Sequence, residues 1–250
     1  MLANRVMLVE DDASVARFVS LALEDLPIAL LVCGDVASAL ASLRQQPCLL
    51  IITDLMLPGE SGLDLIRQLR ADASLLGPAR IVVYSAGLHA EVRAQLERYS
   101  VWRMLSKPVS VNELARCVED ALELAYAGSG VADASPAPPA AGFADRATAE
   151  IEAIQMHFEG DAGLFDEYRA SCLAQFRKDI ALGDLASPVP ECADLQQLAH
   201  NLKTVLATLG HPDGSLIAAA LEQSAAAREP LAASRGWASL RSYLISIISP

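Results

Sequence analysis

The sequence predicts two domains of different classes, an open parallel α/β sheet over residues 1–126 and an all-α bundle over residues 148–250. Two observations support this prediction. Short apolar runs alternate with helical patterns in the first half of the 250-residue chain, whereas no strand-like run follows Thr148. Residues 127–147 are rich in Ala, Gly, Ser and Pro, which is typical of a linker that is part flexible and part polyproline-like.

The strand-like runs of the first half are nearly continuously apolar. Strands have this composition when helices cover both faces of a parallel sheet. Helical patterns fill the gaps; within residues 62–70, for example, Leu63, Ile66 and Leu69 recur at helical spacing. This alternation predicts a five-stranded parallel sheet with helices on both faces. The predicted strands cover residues 6–9, 29–33, 49–52, 81–84 and 101–105.

The second half shows only amphipathic helical patterns. Gly160, the Ser187–Pro190 segment, Gly210 and Pro230 separate them. Short connections between long helices favour antiparallel neighbours, so we expect a domain of the four-helix-bundle type. The predicted helices cover residues 148–158, 161–185, 191–209, 213–228 and 231–248.

Composition excludes several classes of function. The formal net charge of -12 disfavours direct binding to nucleic acid, and there is neither a helix-turn-helix pattern nor a nucleotide-binding glycine loop. The apolar runs are too short to span a membrane, and the N-terminus lacks the pattern of a signal peptide. Five scattered cysteines without a Cys-x-x-Cys pair indicate buried thiols in a reducing compartment, so we expect a cytoplasmic protein.

Polar residues follow the predicted strands at the edge where ligands bind in doubly wound sheets. Glu10 and Asp11 end the first strand, Asp54 the third and Ser85 the fourth, and Lys107 follows the fifth. Three converging carboxylates favour Mg²⁺, which prefers oxygen ligands. Asp54 could then attack phosphorus to form an acyl phosphate, while Lys107 and the metal neutralise charge and Ser85 donates a hydrogen bond.

Each acid taken singly also fits a simpler interpretation. Glu10, Asp11 and Asp12 have the residue type of helix N-caps, and Asp54 could be an ordinary loop carboxylate. Their joint placement at successive strand ends favours the phosphate-binding pocket.

Residues 1–126 resemble the response-regulator receiver domain over that domain's whole length. Such a domain has a flavodoxin-like fold with a five-stranded parallel sheet. The chain differs from the family at Met104, where an aromatic residue normally takes part in the output switch. The resemblance is carried by four motifs in order, Val9-Glu10-Asp11-Asp12, Thr53-Asp54-Leu55-Met56-Leu57-Pro58-Gly59, Ser85-Ala86 and Lys107-Pro108.

The resemblance implies a role for each residue of the pocket. Asp54 is the implied phosphoacceptor, and Ser85 and Lys107 are the implied phosphate-sensing pair. Asp12 is implied not to contact the metal directly. The implied Mg²⁺ ligands are Glu10, Asp11, Asp54 and the main-chain carbonyl of Met56.

A single histidine stands out in the second half. At 100° per residue, His200 lies opposite the apolar stripe of its helix, so we expect its side chain to face solvent, beside Lys203. An exposed imidazole with a neighbouring cation suits a phosphohistidine, although an ordinary surface histidine fits the same pattern. The apolar stripe consists of Leu195, Leu198, Leu202, Val205, Leu206 and Leu209.

Residues 148–250 resemble the histidine-containing phosphotransfer (Hpt) domain, a four-helix bundle with one active histidine. The match rests on Ala199-His200-x-Leu202-Lys203, on Leu209-Gly210 and on Leu221-Glu222. The resemblance implies His200 as a phosphate carrier. Thr204 stands where the family commonly has Gly or Ser, and its methyl group is expected to hinder close docking of a partner.

Together the two resemblances imply a phosphorelay protein of a two-component pathway rather than an enzyme, although the receiver could catalyse its own phosphorylation and dephosphorylation. The implied partners are a sensor or hybrid histidine kinase and a further receiver domain. The linker lets His200 reach the Asp54 pocket, and Thr204 favours masking or slow internal transfer over fast exchange. Two alternatives stay open: a phosphorylation-gated binding module with an inert His200, and an Hpt part that serves a hybrid kinase independently.

Overall fold

The structure, a computed structural model, describes residues 4–127, 146–187 and 193–249. Within them, the first half alternates strands and helices and the second half is helical, as predicted. The predicted linker falls almost entirely on residues 128–145, outside the described ranges. The strands are β1 (Arg5–Val9), β2 (Ala29–Cys33), β3 (Leu50–Thr53), β4 (Arg80–Ser85) and β5 (Arg103–Ser106). The helices are α1 (Ala13–Ala22), α2 (Val36–Gln45), α3 (Gly62–Ala71), α4 (Ala73–Leu76), α5 (Ala90–Glu97), α6 (Val111–Ala127), α7 (Arg146–His157), α8 (Ala162–Ala186), α9 (Ala193–Thr208), α10 (Pro212–Ala226) and α11 (Pro230–Ile248).

The five strands form one parallel sheet in the order β2-β1-β3-β4-β5. This is the flavodoxin-like order, and the predicted fold class is confirmed. The central strands β1 and β3 are almost wholly buried, while β2 at the edge leaves Val32 44 % exposed. In the register between the central strands, Val9 pairs with Thr53, so both strands end at the same level. Residues that follow these strands therefore meet at one edge.

The helical half packs against the receiver-like half, and one apolar core runs through both. Phe18 of α1 is 3 % exposed, and its ring meets Phe158 and Tyr168 edge-on at centroid distances of 5.7 and 5.6 Å. Arg17 adds an ion pair to Glu167 at the rim of the same contact. Helix α1 is thus the surface on which the helical half docks.

The Leu209-Gly210 pair closes α9. Gly210 adopts a positive φ of 74°, and a Cβ there would lie 2.6 Å from the carbonyl oxygen of Ala149. Only glycine permits both the left-handed turn and this approach of α7. The turn fixes the C-terminal end of the helix that carries His200.

The cysteines and the lengths of the apolar helices also bear on predictions made from the sequence. Cys33, Cys48, Cys117 and Cys172 are buried free thiols, as predicted, whereas Cys192 lies outside the described residues. Within the described ranges, none of the helices is long and apolar enough to cross a bilayer.

Candidate functional site

The predicted pocket residues meet at the carboxyl edge of the sheet. Glu10 follows β1, Asp54 follows β3, and Ser85 ends β4; these three side chains are at most 2 % exposed. Lys107 follows β5 and reaches back under this edge with a side chain that is 2 % exposed. The structure thus brings together side chains that are up to 97 residues apart in the chain.

Lys107 is the cation of the pocket. Its Nζ lies 2.6 Å from Oε2 of Glu10 and 2.6 Å from Oδ2 of Asp54. Burial opposes its charge, but the two carboxylates outweigh burial and hold the pKa of Lys107 above its usual value. A fully buried charge is tolerable only when it is paired in this way.

Asp54 is held ionised and aimed by its surroundings. Burial alone would raise its pKa, but Lys107 and the Ser85 hydroxyl bring the pKa of Asp54 below its usual value. The backbone N–H groups of Leu55 and Met56 donate to Oδ1, and Oδ2 is left on the side of Lys107. A carboxyl group attacks phosphorus as its anion, so this electrostatic setting suits the role.

Gly62 gives the loop after β3 its close packing. A Cβ at this position would lie 1.8 Å from the carbonyl oxygen of Asp54, so only glycine fits. Ser61 caps the helix that follows and forms a capping box with Asp64. The sequence Glu60-Ser61-Gly62 thereby seats the N-terminus of α3 directly against Asp54.

Asp11 behaves differently from its acidic neighbours. Its carboxylate accepts hydrogen bonds from the side-chain amides of Gln197 and Asn201 on α9. The Gln197 amide also donates to the carbonyl oxygen of Met56 at 3.1 Å. Asp12, by contrast, caps α1 by accepting from the backbone N–H of Val15 at 2.7 Å, so the simple N-cap interpretation is correct for this acid.

Only some of the predicted oxygen ligands are arranged to bind a hard divalent cation. Asp11 and the Met56 carbonyl converge on one point, as two oxygen ligands of Mg²⁺ would. The other two predicted ligands, Glu10 and Asp54, converge instead on Lys107. In this arrangement, no group of three or more His, Cys, Asp or Glu side chains within the described ranges is placed to hold a metal ion.

The predicted exposure of His200 is wrong. Its side chain is opposite the bundle core, as the helical wheel indicates, but it is only 3 % exposed because the receiver-like half covers that face of α9. Nε2 of His200 lies 3.9 Å from Oδ2 of Asp54. The wheel could not reveal this burial, since the covering surface comes from residues more than 140 positions away.

Glu222 orients the imidazole. Nδ1 of His200 lies 2.7 Å from Oε1 of Glu222, and Lys203 pairs with the second oxygen of the same carboxylate. Although burial works against ionisation, these two partners hold the pKa of Glu222 below its usual value. A carboxylate at Nδ1 favours the tautomer with its proton there, which leaves the lone pair on Nε2.

Nε2 itself has no hydrogen-bond partner within the described residues. The unpaired atom faces Asp54 at a distance too long for a hydrogen bond. Lys203, predicted to stand beside His200 as a cation for the phosphate, pairs with Glu222, whose other oxygen contacts His200; its role toward phosphate stays a prediction.

Two residues at which the chain departs from the families have definite places in the structure. Thr204 is 5 % exposed on α9, and its effect on the docking of a partner stays a prediction. Met104 packs against the apolar cluster beneath α3 and α5, and its effect on output stays a prediction. His157 and His211 are also buried, at 6 % and 7 % exposure, on other parts of the helical half.

Gln197, Asn201 and Phe18 were missed as contact residues. Gln197 and Asn201 lie four residues apart and so share one face of α9, and His200, three residues after Gln197, lies beside that face. That polar stripe could have been read from the helical wheel that placed His200. Glu222 was noticed only as part of a motif, because its distance from His200 depends on how α9 and α10 pack.

Known proteins resemble the first half of the chain. Residues 6–119 match the family model described as response regulator receiver domain. The DNA-binding response regulator MtrA of Mycobacterium leprae (strain TN) is 38 % identical over 74 residues, which are 30 % of this chain and 33 % of that protein. This chain therefore aligns with about a third of the length of that relative.

Two further proteins resemble the same half. The sensor histidine kinase TmoS of Ectopseudomonas mendocina is 33 % identical over 124 residues, which are 50 % of this chain and 12 % of that protein. The crystal structure of a response regulator receiver protein from Pseudomonas putida shares 31 % identity, with a TM-score of 0.44, and covers 48 % of this chain and 98 % of that one.

Proposed function

We propose that this protein, in which residues 6–119 are a response regulator receiver domain, is a phosphorelay protein with two phosphate carriers, Asp54 and His200. The helical half serves in this proposal as a histidine phosphotransfer domain. The single observation that supports it most strongly is the approach of Nε2 of His200 to Oδ2 of Asp54 at 3.9 Å.

The separation suits transfer of a phosphoryl group. In such reactions the attacking and leaving atoms lie roughly in line on opposite sides of phosphorus. Both side chains are buried, so water is kept from the reacting atoms. The unpaired lone-pair atom of a histidine and the ionised carboxylate face each other across this space.

The step conserves atoms and charge. The lone pair of Nε2 forms the new N–P bond, the bond from phosphorus to the Asp54 oxygen breaks, and its electron pair returns to the carboxylate. The imidazole becomes positively charged and keeps its proton on Nδ1, where Glu222 accepts the hydrogen bond. The reverse step returns the group to Asp54, so the chemistry permits flow in either direction.

The other residues of the pocket prepare this step. In this proposal Lys107 neutralises charge on the transferring group and Ser85 donates a hydrogen bond to it; their contacts with Asp54 support these roles. Asp11 and the Met56 carbonyl would hold Mg²⁺, and its positive charge would offset the negative charge of the phosphoryl oxygens. The chain itself turns over no free substrate in this proposal.

The phosphoryl donor is a phosphohistidine of a sensor or hybrid kinase, and the onward acceptor is a further receiver domain. The similarity to TmoS, a sensor histidine kinase, supports a place among proteins of this kind. We further propose that the protein acts in the cytoplasm, where such donors are found.

The rival function is a phosphorylation-gated binding module in which His200 is inert. The apolar contact between α1 and α8 supports a docked state that phosphorylation of Asp54 could release. Under that function, the phosphoryl group would remain on Asp54.

Labelling of the full chain with a small radioactive acyl phosphate in the presence of Mg²⁺ separates the two functions. The relay predicts that base-labile label on Asp54 gives way to acid-labile, alkali-stable label on His200. His200→Gln should retain only the base-labile label, and Asp54→Asn should show neither. Label that never becomes acid-labile in the wild type would favour the binding module.

A further inference from the structure

The Gln197 side chain carries an unusual set of contacts. Its amide nitrogen lies 3.3 and 3.2 Å from the two carboxylate oxygens of Asp11 and 3.1 Å from the carbonyl oxygen of Met56. The side-chain oxygen of Asn201 lies 3.4 Å away as a fourth neighbour. Four oxygens thus surround one nitrogen that has two hydrogens to donate.

The four oxygens are arranged like the ligands of a bound cation rather than like the acceptors of an amide group. Two N–H groups cannot satisfy four acceptors well, and the long distances agree with shared hydrogen bonds. Three of the oxygens belong to Asp11 and Met56, which are two of the four ligands predicted for Mg²⁺. Lys107 takes the remaining two, Glu10 and Asp54.

We propose that the Gln197 amide competes with the divalent cation for Asp11 and the Met56 carbonyl, so that cation binding loosens the helical half from the receiver domain. The inference rests on the proposed function and adds a regulatory step to it. A cation close enough to bind these oxygens would lie against the positive end of the amide dipole. Because Mg²⁺ ligands lie at about 2.0–2.1 Å, the cation and the N–H₂ group cannot occupy this position together.

A half-open cavity gives a cation access to this position. It has a volume of about 470 Å³ and is lined by Asp11, Asp12, Asp179 and Asp194 together with Gln197 and Asn201. Leu185, another lining residue, is 73 % exposed, so the cavity reaches the protein surface. A concave surface lined with acids raises the local concentration of cations. A hydrated cation can therefore reach Asp11 while the helical half is docked.

The consequence concerns the availability of His200. Gln197 and Asn201 tie α9 to Asp11, and His200 lies between them in the sequence. A cation that displaces Gln197 removes its hydrogen bonds to Asp11 and Met56, which leaves the Asn201–Asp11 bond, the Arg17–Glu167 ion pair and the apolar contact at Phe18 to hold the domains together. Divalent cation would thereby make His200 more accessible to the receiver of another protein.

The test measures cation affinity rather than transfer. Mn²⁺ binding to the full chain can be followed by electron paramagnetic resonance, with Mg²⁺ added in competition. Gln197→Ala is expected to bind Mn²⁺ about tenfold more tightly than the wild type, because the loss of a competing hydrogen-bond donor is worth about that factor. The neighbouring Gln196→Ala serves as the matched control and should bind as the wild type does. Unchanged or weaker binding by Gln197→Ala would overturn the inference, and weaker binding would identify the amide as a ligand.

A second variant controls for an effect of Gln197→Ala on folding. Gln197→Met keeps the length of the side chain but has no N–H group, and it should also bind Mn²⁺ more tightly. Hydrogen exchange of the α9 backbone amides gives an independent measure of docking. Mg²⁺ should accelerate it in the wild type and less in either Gln197 variant; equal acceleration in all three proteins would contradict the proposal.

The result is separable from the proposed function. The same Mn²⁺ titrations in a His200→Gln background involve no phosphohistidine. Tighter binding by the double variant His200→Gln, Gln197→Ala than by His200→Gln supports competition even when acid-labile label is never found. Equal binding of these two proteins would overturn competition while leaving the relay intact.

Discussion

Glu222→Ala is expected to slow the labelling of His200 without unfolding the protein. The substitution removes the acceptor of the 2.7 Å hydrogen bond at Nδ1 and leaves Lys203 without this partner. A hydrogen bond to a charged group contributes about 1.5–3 kcal/mol. If that energy orients His200 and stabilises its positive charge in the transition state, the rate should fall by about 10- to 150-fold. The Glu222 side chain is only 16 % exposed, so loss of its bonds to His200 and Lys203 should also lower the free energy of unfolding, by about 1–3 kcal/mol.

The assay compares initial rates of acid-labile labelling in the full chain, with the imidazole ¹⁵N spectrum as a second readout. The wild type should show the tautomer protonated at Nδ1, and Glu222→Ala a mixture. Glu222→Gln keeps an acceptor oxygen but loses the charge, so its rate should lie between the two. Glu229→Ala, an exposed acid before α11 with no side-chain capping bond, is the control. A rate for Glu222→Ala equal to that of Glu229→Ala would refute the orienting role.

Three further substitutions test other parts of the structure. Gly62→Ala should abolish labelling of Asp54 and lower the melting temperature, because the new methyl group would collide with a carbonyl 1.8 Å away; a normal melting curve with full labelling would contradict this. Asp179→Asn tests a pH effect: burial raises the pKa of Asp179 from 3.8 to about 7, so the folded state holds a proton that the unfolded chain releases, and stability falls as pH rises through that window. The free energy of unfolding of the variant should exceed that of the wild type by up to about 4 kcal/mol at pH 8 and by little at pH 4. Urea unfolding at pH 4 and pH 8 measures both differences, and equal differences at the two pH values would contradict this prediction. Phe18→Ala should cost about 3–5 kcal/mol and speed hydrogen exchange in α8 as well as α1, whereas Leu40→Ala on α2 should affect the receiver domain alone; identical exchange patterns would exclude α1 as the docking surface.

The sequence predicted the elements of both halves because each half follows one simple periodicity. Apolar runs gave the five strands within two residues at each end, and helical spacing gave the long helices of the second half. The pocket was predictable for the same reason, since parallel strands bring the residues that follow them to one edge. Glu10, Asp54, Ser85 and Lys107 therefore meet although they are far apart in the chain.

What could not be predicted is how the two halves contact each other. The helical wheel placed His200 correctly on the side opposite the bundle core, but it could not indicate that Asp54 and Asp11 cover that side. The partner of Phe18 was equally hidden, because a single aromatic residue on α1 carries no periodic signal of its own. The contact of Lys203 with Glu222 depends on the packing of α9 against α10.

In the proposed relay, Asp54 and His200 of one molecule exchange a phosphoryl group across the 3.9 Å between them. The most direct measurement follows, in the full chain with Mg²⁺, the rate at which base-labile label becomes acid-labile over a wide range of protein concentrations. Exchange within one molecule predicts a first-order rate that does not depend on protein concentration, and slower, concentration-dependent transfer when labelled His200→Gln is mixed with Asp54→Asn. A rate that rises in proportion to the concentration of wild-type protein, or label that stays on Asp54, would contradict it.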